Sequence, residues 1–235
     1  MRRSATLLVL AAVTLLFTLG VRSAQAGPFP VRAPQIVFQD AALQGYLDGL
    51  GESIAVGADQ VDASIWASAI SGNTLFTLMI EVTADANLNS MGVYNSEDAS
   101  PTPALFQLFP AAAAAGWYAV ASFQSGGRLV VSLFDAASSY QGQTVYNGVN
   151  SLKFGFYIQG PAGTFYTQDG RNGGDAHALV YAGSGNNVGD WWMCFEDAPY
   201  ATASSDFDDA VLLLQSVAPT PTHSTSWGAL KTLYR

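Results

Sequence analysis

Short apolar segments alternate with turn residues along most of this chain, and the pattern predicts a protein built from strands. Glycine-rich turns such as Ser125-Gly126-Gly127 and Gly160-Pro161-Ala162-Gly163 separate neighbouring segments. The predicted strands cover residues 60–67, 73–83, 92–94, 104–109, 117–123, 129–134, 152–159, 164–167, 177–182, 191–195 and 207–217. Many short strands with regular turn signals indicate an all-β fold of the β-sandwich or jelly-roll type.

A helical period interrupts this pattern once, near the N-terminus. Leu43, Tyr46, Leu47 and Leu50 recur at spacings of three and four, and glycines follow, so we expect one short amphipathic helix over residues 40–50. Residues 111–115 are all alanine and are compatible with a single helical turn between two strands.

The first 26 residues have the layout of a secretory signal peptide. Arg2 and Arg3 precede an apolar run of about 15 residues, and Ala24-Gln25-Ala26 then supplies small residues for cleavage. The run is shorter than the roughly 20 residues that span a bilayer. We therefore expect a mature chain that begins at Gly27, has no transmembrane segment after cleavage, and is secreted or held at a bacterial cell envelope or surface.

The remaining chain divides into a body and a short tail. We expect one β-sandwich domain over residues 27–217, a Pro/Thr/Ser linker over 218–226, and a basic, aromatic tail over 227–235 that is a candidate sorting segment. On this division, a chain that ends at Val217 should keep its melting temperature.

Charge and cysteine content exclude several classes of protein. The net charge is −9, and removing the three arginines of the signal peptide brings it to −12, so we expect neither nucleic acid nor anionic lipid as a partner. Cys194 is the only cysteine, which excludes an intrachain disulfide, and its apolar neighbours predict a buried, inert thiol.

Acidic residues concentrate near the end of the body, where five of the 18 acids fall within 14 positions. Carboxylate oxygens are the ligands that calcium prefers. If residues 206–209 continue a strand, Asp206 and Asp208 point to one face and could share an ion, while Asp209 caps a turn. The candidate calcium ligands are Glu196, Asp197, Asp206, Asp208 and Asp209, with Asp169, Asn172 and Asp175 as a weaker second set. The alternative for both sets is solvated charge and turn capping.

The same region resembles the end of an uncharacterised (DUF-type) domain family of exported bacterial proteins, many with PEP-CTERM sorting tails. The matching segments are His177-Ala-Leu-Val-Tyr, Gly189-Asp190-Trp191-Trp192, Phe195-Glu196-Asp197 and Asp206-Phe207-Asp208-Asp209-Ala210-Val211. Asp208 stands where the family usually has Asn. The resemblance covers roughly residues 91–217 and is specific only over the last forty. It implies a β-sandwich with calcium binding and an extracellular role, and it supplies no reaction.

A non-catalytic structural or adhesive protein fits these observations best, with an unidentified surface partner, matrix or glycan. His177 is the only histidine of the predicted domain and no G-x-S-x-G motif is present, so a serine-hydrolase triad is not indicated. A carbohydrate-binding module is one alternative, since Trp117, Trp191 and Trp192 could stack on sugar rings. A glycoside-active enzyme is the other, with carboxylates drawn from Glu81, Glu97 and Glu196.

Overall fold

The computed structural model describes residues 31–33, 35–36, 41–68, 73–80, 87–199 and 206–220. The predicted signal peptide, the cleavage site before Gly27, most of the predicted linker and the tail lie outside these residues. No helix among the described residues is long and apolar enough to cross a membrane.

The described chain contains one α-helix and thirteen strands. The helix α1 covers Ala42–Gly49. The strands are β1 (Ile65–Ser68), β2 (Asn73–Ile80), β3 (Ser90–Asn95), β4 (Leu105–Phe109), β5 (Tyr118–Gln124), β6 (Arg128–Phe134), β7 (Tyr140–Tyr146), β8 (Phe154–Gly160), β9 (Gly163–Tyr166), β10 (Ala178–Ala182), β11 (Trp191–Phe195), β12 (Ala210–Gln215) and β13 (Val217–Thr220).

These strands form two antiparallel sheets. One sheet has the order β13-β1-β8-β3-β4, with β9 also paired to β8, and the other has the order β10-β11-β12-β2-β5-β6-β7. The sheets pack face to face. The ring centroid of Trp66 in the first sheet lies 5.8 Å from that of Trp191 in the second, and the ring centroids of Phe156 and Phe76 are 5.5 Å apart. The predicted all-β sandwich with one short N-terminal helix is confirmed.

A smaller core lies on the outer face of the seven-stranded sheet. Leu43 and Leu47 of α1 are fully buried there and pack in one cluster with Trp192, Cys194 and Phe207. Burial raises the pKa of the Cys194 thiol well above its usual range, so the thiol stays protonated. The prediction of a buried, inert cysteine therefore agrees with the structure.

The local predictions missed one strand and assigned one short segment wrongly. β7 was not predicted, because its residues are mostly exposed and polar and show no apolar alternation. Residues 111–115 form turns rather than a helical turn. Pro110 and Gly116 bound this run, and five residues are too few to offset the cost of nucleating a helix.

The predicted strand over residues 207–217 divides into two strands that belong to different sheets. β12 ends at Gln215, and Ser216 adopts a left-handed φ of 60°. The chain then crosses to the six-stranded sheet, where β13 pairs antiparallel with β1 from Val217 opposite Ser68 to Thr220 opposite Ile65. The first three residues of the predicted linker are therefore part of the sandwich.

Candidate metal centre

Three acidic side chains meet at one end of the β11–β12 pair. These strands are antiparallel with Phe195 opposite Ala210, so Glu196 and Asp209 lie side by side just beyond the last paired residues. Asp206 joins them from the segment that leads into β12. Each of the three side chains places a carboxylate oxygen within 4.8 Å of the others.

This spacing suits a single bound cation. Calcium holds its oxygen ligands at about 2.3–2.6 Å, so ligands on opposite sides of one ion lie about 5 Å apart. The three carboxylates fall inside that limit. Residues 196–209 contain no Lys or Arg, so the adjacent sequence supplies no basic side chain to balance these charges.

Burial makes the ionised cluster unfavourable in the absence of a cation. Glu196 is only 1% exposed and Asp209 only 7%. Desolvation raises the pKa of Asp209 to about 8, and the charges of Glu196 and Asp197 add to the effect. Desolvation, with the charge of Asp206, also raises the pKa of Glu196, while its hydrogen bond with Asp209 lowers it. The Oε2 atom of Glu196 is buried and has no hydrogen-bond partner among the described residues.

His177 holds the backbone of Glu196 in place from the neighbouring strand end. The N–H of Glu196 donates to the carbonyl oxygen of His177 at 3.1 Å. The Nδ1 atom of His177 lies 3.1 Å from the carbonyl oxygen of Glu196, which only accepts, so Nδ1 carries the proton. The ring of Phe165 stacks on the imidazole, with the two ring centroids 3.9 Å apart. Burial lowers the pKa of His177, and the lowered pKa favours the neutral imidazole.

Asp197 supports the cluster through its backbone. Its N–H donates to Oδ2 of Asp209 at 2.8 Å, so Asp209 does cap the backbone here, as expected. The side chain of Asp197 instead accepts a hydrogen bond of 2.6 Å from Nδ2 of the buried Asn89. Asp197 therefore positions Asp209 rather than adding a fourth carboxylate to the group.

The expectation that Asp206 and Asp208 point to one face of a strand is wrong. Residues 206–209 are not a strand, and Phe207 adopts a left-handed φ of 55° with its ring fully buried. Strand alternation therefore does not apply. Asp206 groups with Asp209 and Glu196, whereas Asp208 is buried near Cys194, whose pKa its charge raises.

The weaker set of candidate ligands has other partners. Asp169 forms an ion pair with Arg32. Asn172 uses its amide to accept from the N–H of Tyr166 at 2.9 Å and to donate to its carbonyl at 2.8 Å. Asp175 is exposed. This loop is thus held by an ion pair and by amide-to-backbone bonds.

Sequence reasoning missed Arg171, which organises the same loop. Its guanidinium donates to the carbonyl oxygens of Ser96, Asp98 and Ser100, and its Nε donates to Gln168. It also lies over the rings of Tyr94 and Tyr166. Arg171 is one of only nine basic residues, three of them in the predicted signal peptide, and this scarcity was the available signal.

Comparisons with known proteins add little to this description. No family profile and no curated protein matches the chain. Among solved structures, a double mutant of congerin II aligns at 14% identity, over 69% of this chain and 96% of its own, with a TM-score of 0.18. At that score the alignment carries no argument about fold or function.

A separate cleft of about 710 Å³ lies beside β1 and β10. Polar side chains line much of it, including Asp62, Asp98 and the ion pair of Arg32 with Asp169. No aromatic ring is among the described residues that line it. These described residues therefore supply no stacking surface of the kind that a sugar site generally uses.

The residues considered for sugar stacking or glycoside chemistry are placed elsewhere. Trp191 and Trp192 are buried, and Trp117 is half-buried against the main core. Glu97 is exposed and ion-paired with Lys153, Glu196 belongs to the acidic cluster, and Glu81 lies outside the described residues.

Proposed function

We propose that this chain is an exported, non-catalytic β-sandwich protein of structural or adhesive type, and that calcium bound by Glu196, Asp206 and Asp209 stabilises it. The observation that carries the calcium proposal is the burial of the Glu196 carboxylate beside two other acids. Its side chain is 1% exposed, its Oε2 atom has no hydrogen-bond partner among the described residues, and two more carboxylates lie within ligand distance. A buried carboxylate oxygen needs a donor or a cation.

Calcium would act by joining chain segments that are separated in sequence. Glu196 follows β11, whereas Asp206 and Asp209 precede β12, so one ion would close the connection between these two central strands. It would replace the proton that Asp209, with its pKa of about 8, holds at neutral pH. The repulsion among the carboxylates would then become attraction to the ion.

The test is thermal unfolding in millimolar calcium and in chelator. An ion at a hundredfold excess over its dissociation constant stabilises by about 2.7 kcal/mol, which is a rise of about 5 °C or more for a domain of this size. Glu196→Gln and Asp209→Asn should abolish the rise while the circular dichroism spectrum stays that of a β protein. Asp208→Asn should retain it, because Asp208 lies outside the group.

Glu97→Gln is the matched control, since it removes an exposed carboxylate elsewhere and should leave the calcium response intact. Coincident wild-type melts in calcium and in chelator would show that the acids are turn caps and shared protons only. A glycan array tests the non-catalytic structural role separately. Specific sugar binding would favour the carbohydrate-binding alternative without bearing on the metal.

A further inference from the structure

The edge strands of the two sheets differ in how far their backbone N–H and C=O groups are covered. An edge strand presents unpaired backbone N–H and C=O groups, which invite pairing with another chain unless they are covered. In the described chain the edges are β4, β9 and β13 of one sheet, and β7 and β10 of the other.

Side chains cover two of these edges by imitating a strand partner. The Tyr146 hydroxyl accepts from the N–H of Gln107 in β4 at 3.1 Å and donates to its carbonyl at 3.2 Å. The Asn172 amide bonds the N–H and the carbonyl of Tyr166 in β9 in the same manner. Each side chain occupies both groups of one edge residue.

The backbone itself protects two more edges. The N–H of Val61 donates to the carbonyl of Val180 in β10 at 2.8 Å. β13 has only four residues, and Pro219 has no N–H to offer. Short length, proline and local coverage are the usual means of blocking an edge.

β7 has none of these protections in the part of the chain that the structure describes, and a bulge at Gln141 interrupts only its first residues. It is seven residues long, contains neither a charged residue nor proline, and is largely exposed, with Tyr140 at 60% and Val145 at 43%. One side pairs with β6 from Tyr140 to Tyr146, without interruption over residues 142–146. No described strand pairs with the other side.

We propose that β7 is a self-association edge, where a second copy of this chain pairs its own β7 antiparallel about a two-fold axis. Such a contact repeats each hydrogen bond twice and needs no partner of different shape. Overlap of the five residues beyond the bulge, 142–146, places Thr144 on the axis, opposite Thr144 of the second copy. The two seven-stranded sheets then continue into one.

Charge favours a second copy at this edge over other surfaces. The chain carries a net charge of −9, so most contacts between two copies bring acids together. β7 is free of charge, and this register places Gly142 opposite Tyr146, and Gln143 opposite Val145. Like charges directly opposite would destabilise such pairs, and none occurs here.

Sedimentation equilibrium of the wild-type chain over a concentration series tests the association. We expect a reversible dimer, and Val145→Lys should weaken it at least tenfold, because a lysine on an edge blocks strand pairing. Val188→Lys is the matched control, since Val188 is 64% exposed but lies outside β7. The melting temperature of each variant, measured at low concentration, shows that the fold is retained.

A charge exchange at the axis tests the two-fold register. Thr144→Lys and Thr144→Glu should each be monomeric alone, because like charges would meet, and their equimolar mixture should restore the dimer. A wild-type chain that stays monomeric at all concentrations overturns the proposal. So does a dimer that Val145→Lys leaves unchanged, or a mixture of the two Thr144 variants that stays monomeric.

Discussion

The guanidinium carbon of Arg171 lies 5.0 Å from the centre of the Tyr94 ring. The ring of Tyr166 lies 5.8 Å from the same carbon. From this position Arg171 donates to the carbonyls of Ser96, Asp98 and Ser100, so one side chain fixes the loop that follows β3 against the loop that follows β9.

Replacing Arg171 should therefore destabilise the fold more than replacing an exposed arginine. Hydrogen bonds from a charged donor each contribute about 1.5–3 kcal/mol and are not additive, so Arg171→Ala should lower the free energy of unfolding by about 3 kcal/mol. The free energy of unfolding of Arg171→Lys should lie between those of the wild type and Arg171→Ala, because lysine keeps the charge but loses the planar set of donors. Urea unfolding measures this.

Arg128→Ala is the control for this pair, since Arg128 is exposed and bonds only Gln124 among the described residues. It should change the free energy of unfolding by less than about 0.5 kcal/mol. Equal effects of the two alanine variants would mean that Arg171 does not anchor the loop.

The sandwich was predictable because most strands have one face in the core. β5 alternates between buried and partly exposed residues over its whole length, and the sequence shows the same period. β7 has no buried face, so its residues carried no such signal. Which sheet each strand joins was not predictable either, since the crossing at Ser216 depends on a backbone angle rather than on hydrophobicity.

The acidic site was predictable in its location but not in its grouping. Five acids in a chain poor in charge pointed to residues 196–209. Phe207 decides which acids meet, because its buried ring and left-handed φ turn the chain just before β12. Residue types alone do not predict such a turn, since phenylalanine rarely adopts this conformation.

The pKa of Asp209 predicts how the stability of the calcium-free protein depends on pH. Its folded value of about 8 lies above the roughly 3.9 of an unfolded aspartic acid. The folded state therefore holds an extra proton between these values, and stability should fall as pH rises from about 4 to about 8. The charges of Glu196 and Asp197 add to the effect of burial on Asp209, and burial with the charge of Asp206 raises the pKa of Glu196 as well.

Urea unfolding in chelator at pH 5, 7 and 9 should show this decline, and Asp209→Asn should flatten it, because asparagine does not titrate. Calcium should reduce the decline most at pH 9, where the ion competes with the fewest protons. A wild-type stability that rises from pH 5 to pH 9 in chelator would contradict a protonated Asp209 in the folded, calcium-free protein.

Gly92 should be intolerant of even a single methyl group. A Cβ at this position would lie 2.2 Å from the carbonyl oxygen of Phe106 and 2.9 Å from the Cα of Gln107, both in the paired strand β4. The backbone of β4 would have to move, so Gly92→Ala should lower the melting temperature by several degrees. Differential scanning calorimetry measures the change.

Gly45→Ala is the opposite case, since Gly45 lies inside α1 and no described atom outside the helix backbone is within 4 Å of its added Cβ. Alanine favours a helix interior over glycine by about 0.5–1 kcal/mol, so this variant should be slightly more stable. A neutral Gly92→Ala would show that β3 and β4 are less closely paired than described.

The end of β13 decides where the chain can be shortened. The sequence predicted that a chain ending at Val217 would keep its stability, but β13 continues to Thr220 and pairs with β1 through residues 65–68. Pro219 is buried opposite Trp66, whose ring is part of the main core.

A chain that ends at Val217 should therefore melt several degrees below one that ends at Thr220, because it loses three paired residues and exposes one side of β1. The two truncated chains differ only in Ala218, Pro219 and Thr220, so the comparison isolates β13 from everything beyond it. Equal melting temperatures would show that β13 contributes nothing to the sandwich and would restore the domain boundary at Val217.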